Sequence, residues 1–199
     1  MGPMMRVDLQ TDLFPSSAQN ERPEGFRLQE SLLSRAEEEE AVARIQNLSL
    51  TPFAFHGFFG KRQTASFGWR YDFNGGGLLK GAPMPAFLLA LRERAAEIAG
   101  RSANMFEQAL VSEYGPGAGI GWHRDRPQFG IVAALSFAAA CRLRFRRRTE
   151  NGWARSAVSL QPRSAYVLDG PARRVWEHSI PAVEALRYSI TFRTISRHA

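Results

Sequence analysis

The chain has 199 residues, a net charge of +7 and 44% hydrophobic residues, which sets a single domain with a sizeable core as the expectation and excludes wholesale disorder. Lys61 and Lys80 are its only lysines, so arginine carries the excess charge, and an anionic partner is expected, nucleic acid first among them. Cys141 is the only cysteine, which excludes an intrachain disulfide and fits a cytoplasmic protein; no secretory signal follows Met1, and no run of about 20 apolar residues is present to span a membrane.

Residues 1–25 mix Pro, Ser, Asn and charge without periodicity and read as a loosely ordered arm, which leaves 26–199 as the domain. Ser34 and Glu37 form a capping-box pattern for a helix reaching about Asn47, with Ala41, Val42, Ile45 and Leu48 on its core face. The acidic run Glu37–Glu40 suits the positive end of that helix dipole and reads as a solvated face. Thr51 to Gly60 is aromatic-rich and reads as a strand and turn, and Gln63 to Phe73 as a second strand region ending at Asn74-Gly75-Gly76-Gly77. Pro85 and Gly100 bracket a helix whose stripe is Phe87, Leu88, Leu91, Ala95 and Ile98. Eight short strands follow: Gln108–Tyr114, Ile120–His123, Ile131–Phe137, Cys141–Arg147, Arg155–Leu160, Ala165–Leu168, Arg173–His178 and Arg187–Thr194. Helices first and many short strands afterwards predict an α+β, mostly β chain built as a sandwich or jelly roll.

The chemistry centres on Ile120-Gly121-Trp122-His123-Arg124-Asp125. Two residues apart on a strand, His123 and Asp125 would share a face. One more His completes a two-His, one-carboxylate triad with open positions, a set that suits non-haem Fe(II). Of His56, His123, His178 and His198, His178 stands before a second strand pattern, Arg187-Tyr188-Ser189-Ile190-Thr191-Phe192-Arg193. Metal ligands followed by arginines on a buried strand point to an iron centre with an acidic co-substrate.

With the turn Tyr114-Gly115-Pro116-Gly117-Ala118, the H-x-D, the distal His and the R-Y-x-x-T-x-R strand, the chain resembles the AlkB family of Fe(II)/2-oxoglutarate dioxygenases from about Pro52 to Thr194. The resemblance implies a double-stranded β-helix, a jelly roll with N-terminal helices buttressing one sheet. It implies His123, Asp125 and His178 as metal ligands, and Fe(II), 2-oxoglutarate and O₂ as the reactants. Arg187 would clamp the C5 carboxylate of 2-oxoglutarate, Tyr114 would donate to it, and Arg193 would lie near the C1 end. Ser112 and Ser189 stand where the family usually has Asn, which implies weaker or water-mediated contacts. The family's reaction decarboxylates 2-oxoglutarate to succinate and CO₂ and hydroxylates an N-methyl carbon, which leaves as formaldehyde.

Tyr71-Asp72-Phe73-Asn74-Gly75 resembles the family's nucleotide-recognition lid, set here at about 52–77. A flipped base would stack between Phe73 and the His123 ring, with the Tyr71 hydroxyl at its edge; the alternative is that Phe73 is a core aromatic. Lys61 and Arg62, beside the lid, are phosphate candidates. Arg142, Arg144 and Arg146 alternate with Leu143 and Phe145, so three guanidinium groups share one strand face, suited to phosphates or to a charge-protected edge. The leading expectation is a monomeric dealkylase of nucleic acid bases, DNA ahead of RNA. The alternatives are an oxygenase of the same chemistry acting on RNA, protein or a small molecule, and a nucleic-acid-binding protein with an inactive centre.

Overall fold

The structure, a computed structural model, describes residues 22–55, 58–73 and 75–196. The expected arm therefore lies mostly outside the described residues, as do His56, Asn74 and His198. Glu24 and Gly25 are already tied down: the Glu24 carbonyl accepts from Ala172 N and the Gly25 carbonyl from Asp169 N.

Strands β1 (Phe26–Gln29), β2 (Thr51–Phe55), β3 (Phe58–Phe67), β6 (Phe106–Tyr114), β8 (Phe129–Phe137), β11 (Ala165–Leu168) and β13 (Arg187–Ile195) form a seven-stranded sheet, ordered β1-β11-β8-β13-β6-β3-β2. Strands β7 (Ile120–His123), β9 (Cys141–Thr149), β10 (Gly152–Leu160) and β12 (Glu177–Ile180) form a second sheet, ordered β10-β9-β12-β7. The short hairpin β4 (Trp69–Tyr71) and β5 (Leu78–Lys80) forms a separate two-stranded sheet, whose first strand falls in the segment 52–77 expected as a lid. The two larger sheets face each other as a double-stranded β-helix, with helices α1 (Arg35–Gln46) and α2 (Ala86–Ala99) on the outer face of the larger one.

Two cores follow from strand alternation. One packs Ala41 and Ile45 of α1 and Leu88, Leu91 and Ala95 of α2 against Val111, Leu135, Ile190 and Phe192. The other fills the space between the sheets with Val132, Leu143, Phe145, Leu160, Leu168 and Ile180. Strand β13 serves both. Tyr188, Ile190 and Phe192 face the helices, while Ser189, Thr191 and Arg193 line the cavity between the sheets.

The helices form where capping chemistry places them. Ser34 accepts from Glu37 N, Glu37 reaches back to Ser34 N, and Gly100 closes α2 in the left-handed region at φ 61°. The acidic run is not simply a solvated face. Glu37 pairs with Arg94 of α2 at 2.8 Å, and Glu38 accepts from Ala138 N at 2.8 Å, clamping α1 to the turn after β8.

Two expected strands are corrected. Gln63–Phe73 is broken at Gly68, which sits at φ 75° with Glu107 O in the space a side chain would need, so the backbone turns there from β3 into β4. Arg173–His178 begins instead as a short helix, α3 (Gly170–Arg174), because Asp169 caps Gly170 N and Pro171 sets the first turn; only Glu177–Ile180 is strand.

Candidate active site

Strand pairing brings the histidines together. His178 of β12 is the direct cross-strand partner of His123 of β7, and their ring centroids are 4.3 Å apart. β7 ends at His123, so Asp125 lies just beyond the strand, where the expected same-face spacing on a continuous strand does not apply. It reaches the histidines all the same. One ligand atom each from His123, Asp125 and His178 lies within 4.8 Å of the others, a closed three-ligand group. Their chemistry fits a divalent metal. His123 Nδ1 bonds the Gly121 carbonyl at 2.9 Å, which leaves Nε2 for the metal. Burial, then the nearby His123, push the His178 imidazole down to about 3, so it is neutral and able to ligate. Burial pushes the Asp125 carboxyl up, but Arg193, His178 and His123 outweigh it and hold it well below the usual carboxylate range.

Arg193 is the nearest of these charges. Its Nη2 lies 2.7 Å from Asp125 Oδ1, and its Nη1 donates to Gln108 Oε1 at 3.0 Å. Asp125 Oδ2 is the oxygen that faces His178 Nε2, at 3.7 Å. Arg193 therefore holds one carboxylate oxygen and leaves the other for a metal.

The co-substrate residues lie along one polar seam between β6 and β13. Register pairs Tyr114 with Arg187, Ser112 with Ser189, and Gln108 with Arg193. Arg187 is fully buried, with its guanidinium 4.9 Å from the centre of the Tyr114 ring. Only its Nη2 is bonded, to Ser136 Oγ at 3.1 Å; Nε and Nη1 have no partner among the described residues. The Cys141 thiol beside it is too weak an acceptor to satisfy a guanidinium. A buried cation with unused donors on both sides of its guanidinium fits an anionic ligand such as a carboxylate. Burial raises the Tyr114 phenol, yet Arg62 and Arg187 together bring it below its ordinary value. The Ser189 hydroxyl beside the Tyr114 phenol adds to that lowering.

The lid forms the opposite wall. Phe53, Tyr71 and Phe73 line the same cavity as His123 and Asp125, a space of about 1270 Å³. The rings of Tyr71 and Phe73 meet edge to face at 5.0 Å, and Phe53 meets Phe73 at 5.4 Å. Phe73 is half-buried in this wall. The Arg126 guanidinium lies over both lid rings, 5.0 Å from Tyr71 and 5.2 Å from Phe73.

Lys61 is exposed, as a phosphate contact requires, but Arg62 is not: it turns inward, 4.5 Å over the Phe53 ring, and donates to the Tyr114 hydroxyl at 3.4 Å. Arg142, Arg144 and Arg146 do share the outer face of the four-stranded sheet, opposite the buried Leu143 and Phe145. Arg144 donates to Ser179 Oγ at 3.1 Å, and Arg146 pairs with Glu177 at 2.6 Å.

The sequence reading passed over Gln108, Ser136, Arg126 and Arg173. Gln108 shares strand parity with Ser112 and Tyr114, a signal that was available. Arg173 carries no such signal. It is buried and donates to the carbonyls of Arg126, Phe129 and Gly130, fixing the loop that follows Asp125.

Comparison with known proteins agrees with this geometry. The chain is 28% identical over 102 residues to "Uncharacterized protein L905" of Acanthamoeba polyphaga mimivirus, covering 45% of this chain and 48% of that one. It is 31% identical over 99 residues to "Alkylated DNA repair protein ALKBH8 homolog" of Arabidopsis thaliana, covering 41% of this chain and 29% of that one. These matches span about half of the first relative and under a third of the second. The fold is similar to that of a solved structure, "The structure of OsALKBH1", with a TM-score of 0.65 at 16% identity over 88% of this chain and all of that one. The family description "2OG-Fe(II) oxygenase superfamily" matches residues 25–193. With His123, Asp125 and His178 gathered as a set that could hold a metal, and the family description matching most of the chain, the chain belongs to the 2OG-Fe(II) oxygenase superfamily and has an AlkB-like fold.

Proposed function

We propose that this oxygenase removes alkyl groups from nucleic acid bases, with DNA ahead of RNA, acting as a cytoplasmic monomer. The observation that carries this reading is the wall of Phe53, Tyr71 and Phe73 across the cavity from the metal triad. At about 1270 Å³ the cavity exceeds the roughly 300–1,000 Å³ of common ligand pockets. That leaves room for a flipped nucleoside beside 2-oxoglutarate. Flat rings at such a wall are what an extruded base stacks on.

When bound, Fe(II) with 2-oxoglutarate and O₂ supplies the oxidising equivalent that converts an N-methyl C–H to C–OH, with succinate and CO₂ as co-products. The protein's part is placement. His123, Asp125 and His178 would hold the metal, a two-His, one-carboxylate set that suits Fe(II) with a co-substrate. Arg187 and Tyr114 receive the distal carboxylate, and Arg193 fixes the orientation of Asp125. Tyr71 and Phe73 hold the base so that its alkyl carbon faces the metal. The hydroxymethyl product on nitrogen then loses formaldehyde and regenerates the base.

The test is formaldehyde release from N-methylated single-stranded DNA, compared with RNA and a methylated peptide, at fixed Fe(II) and 2-oxoglutarate. Release from the oligonucleotides with succinate formed in step is the expected result. Succinate formation indifferent to every methylated oligonucleotide would overturn the reading.

A further inference from the structure

The four-stranded sheet has two faces with opposite chemistry. His123 and His178 point inward. Trp122, next to His123 on β7, points outward, as do Glu177 and Ser179 on either side of His178, since each grips an outward arginine. On that outer face the Trp122 ring lies between Arg144, at 5.0 Å, and Arg146, at 4.5 Å. The Trp153 ring of β10 lies between Arg146, at 4.4 Å, and Arg148, at 5.3 Å. Flat groups thus alternate along the sheet: Arg144, Trp122, Arg146, Trp153, Arg148. Arg155 stands directly across from Arg146, and Arg142, Arg148 and Arg155 are exposed.

We propose that this outer face is a track for the backbone of single-stranded nucleic acid, leading over the β7 edge into the metal-bearing cavity. The proposal rests on the nucleic-acid reading of the site.

Charge comes first. Like charges placed directly opposite across strands, as Arg146 and Arg155 are, destabilise a sheet. Glu177 is the one carboxylate on this face among the described residues, and Arg146 already holds it. The remaining guanidinium groups need a counter-charge from outside, and several of them in a row need a polyanion. Geometry is second. Arg142, Arg144, Arg146 and Arg148 recur about every 6.8 Å along β9, at roughly 3.4 Å per strand residue, close to the reach of one extended nucleotide. Order is third. Arg144 and Arg146 are fixed through Nε, by Ser179 and Glu177, and lie over indole rings, so their terminal nitrogens are the part left for a ligand. A fork held this way loses little freedom on meeting a phosphate.

Path decides the form of the nucleic acid. β7 is the outer edge of its sheet, and Trp122 and Glu177 also line the cavity mouth. A strand touching both the outer face and the cavity must turn around that edge. Duplex DNA, stiff over about 150 bp, resists such a turn; a single strand does not.

The 199-residue chain, loaded with Mn(II) and 2-oxoglutarate, would be titrated with labelled oligothymidylates of about 4 and about 16 nucleotides, the range of common single-strand sites. The variants are Trp153→Ala and the double change Arg148→Glu with Arg155→Glu, each checked by thermal melting. The longer strand should bind at least about tenfold tighter than the shorter to the unchanged protein. The double variant should lose that advantage, and its log-log salt slope should fall by at least about 1.4, from roughly 0.7 per phosphate on single strands. Trp153→Ala, which frees Arg146 and Arg148 from their stack, should lower affinity for the longer strand with a smaller change in slope. Equal affinity and slope in the double variant, or a preference for duplex, would overturn the proposal. So would competition by polyglutamate at equal charge, which would make the face an acidic-protein site. Dealkylation of a methylated tetranucleotide separates the two ideas. If the tetranucleotide is repaired while length gives no advantage, the track falls and the function stands. If a methylated strand of about 16 nucleotides is not repaired either, while Arg148 and Arg155 still govern its binding, the function falls and the track stands.

Discussion

Replacing Arg187 with Met should weaken 2-oxoglutarate binding severely and leave the ligand-free protein at least as stable. Arg187 is fully buried, and of its three side-chain nitrogens only Nη2 has a bond, to Ser136. A carboxylate set end-on against Nη1 and the second Nη2 hydrogen would form two charge-assisted bonds, each worth about 1.5–3 kcal/mol. Their loss, about 3–6 kcal/mol, corresponds to roughly 100- to 10,000-fold in affinity. Without the ligand the balance reverses. A buried cation short of partners is a standing cost, and exchanging buried charge for an apolar chain of similar length is neutral or stabilising by about 1–4 kcal/mol. The assay is urea unfolding of wild type and Arg187→Met, with and without 2-oxoglutarate, using Mn(II) so that nothing turns over. At 100 times its Kd the ligand should stabilise wild type by about 2.7 kcal/mol, and the variant hardly at all. Affinity within about threefold of wild type, or a ligand-free variant well below wild type in stability, would refute the reasoning: the first places the carboxylate elsewhere, the second makes Arg187 a structural residue.

Asp125→Ala should keep the fold and abolish metal binding and turnover, read as iron content and succinate formation on folded protein; wild-type activity would remove Asp125 from the metal set. Phe73→Ala should cut turnover of a methylated oligonucleotide by the roughly 1–3 kcal/mol of a base stack, with 2-oxoglutarate binding retained. A drop in stability of about 3–5 kcal/mol, the cost of a lost core Phe, would instead make Phe73 a packing residue. The metal-free protein should lose stability as pH falls below about 6.5, the unfolded value for His. His178 in the fold sits at about 3, so the unfolded chain binds the extra proton between these values, at up to about 1.4 kcal/mol per pH unit, and stability is level above them. Urea midpoints that do not move between pH 7.5 and 5 would contradict the burial of a neutral His178.

The parts of the site that depend on local spacing were legible in the sequence. The arginines at each end of β13 share a face because strand alternation is a local rule, and the H-x-D with a distal His marked the metal set, although Asp125 reaches it from just beyond its strand. The capping box at Ser34 and the Pro85–Gly100 bracket also appear where capping chemistry puts them. What the sequence did not reveal depends on which strand lies beside which. That His178 would pair directly with His123, or that Arg62 would leave the surface for Tyr114, follows from sheet order. The Trp153–Arg146–Trp122 stack joins three strands, and no single segment announces it. Arg173 looked like part of a strand because its contacts are backbone carbonyls 43 to 47 residues away, which carry no side-chain signature.

Strand β13 commits both of its faces. A slip of one residue in its pairing would drive Arg187 and Arg193 into the helix-packed core and turn Phe192 and Ile190 toward the metal. Two stranded guanidinium groups make that misfold too costly to survive. The same alternation therefore proofreads the strand: a chain that has folded its hydrophobic core has already set its co-substrate arginines in place. Damage to the helix-facing side, such as Phe192→Ala, should thus surface as poor 2-oxoglutarate binding before the protein as a whole unfolds.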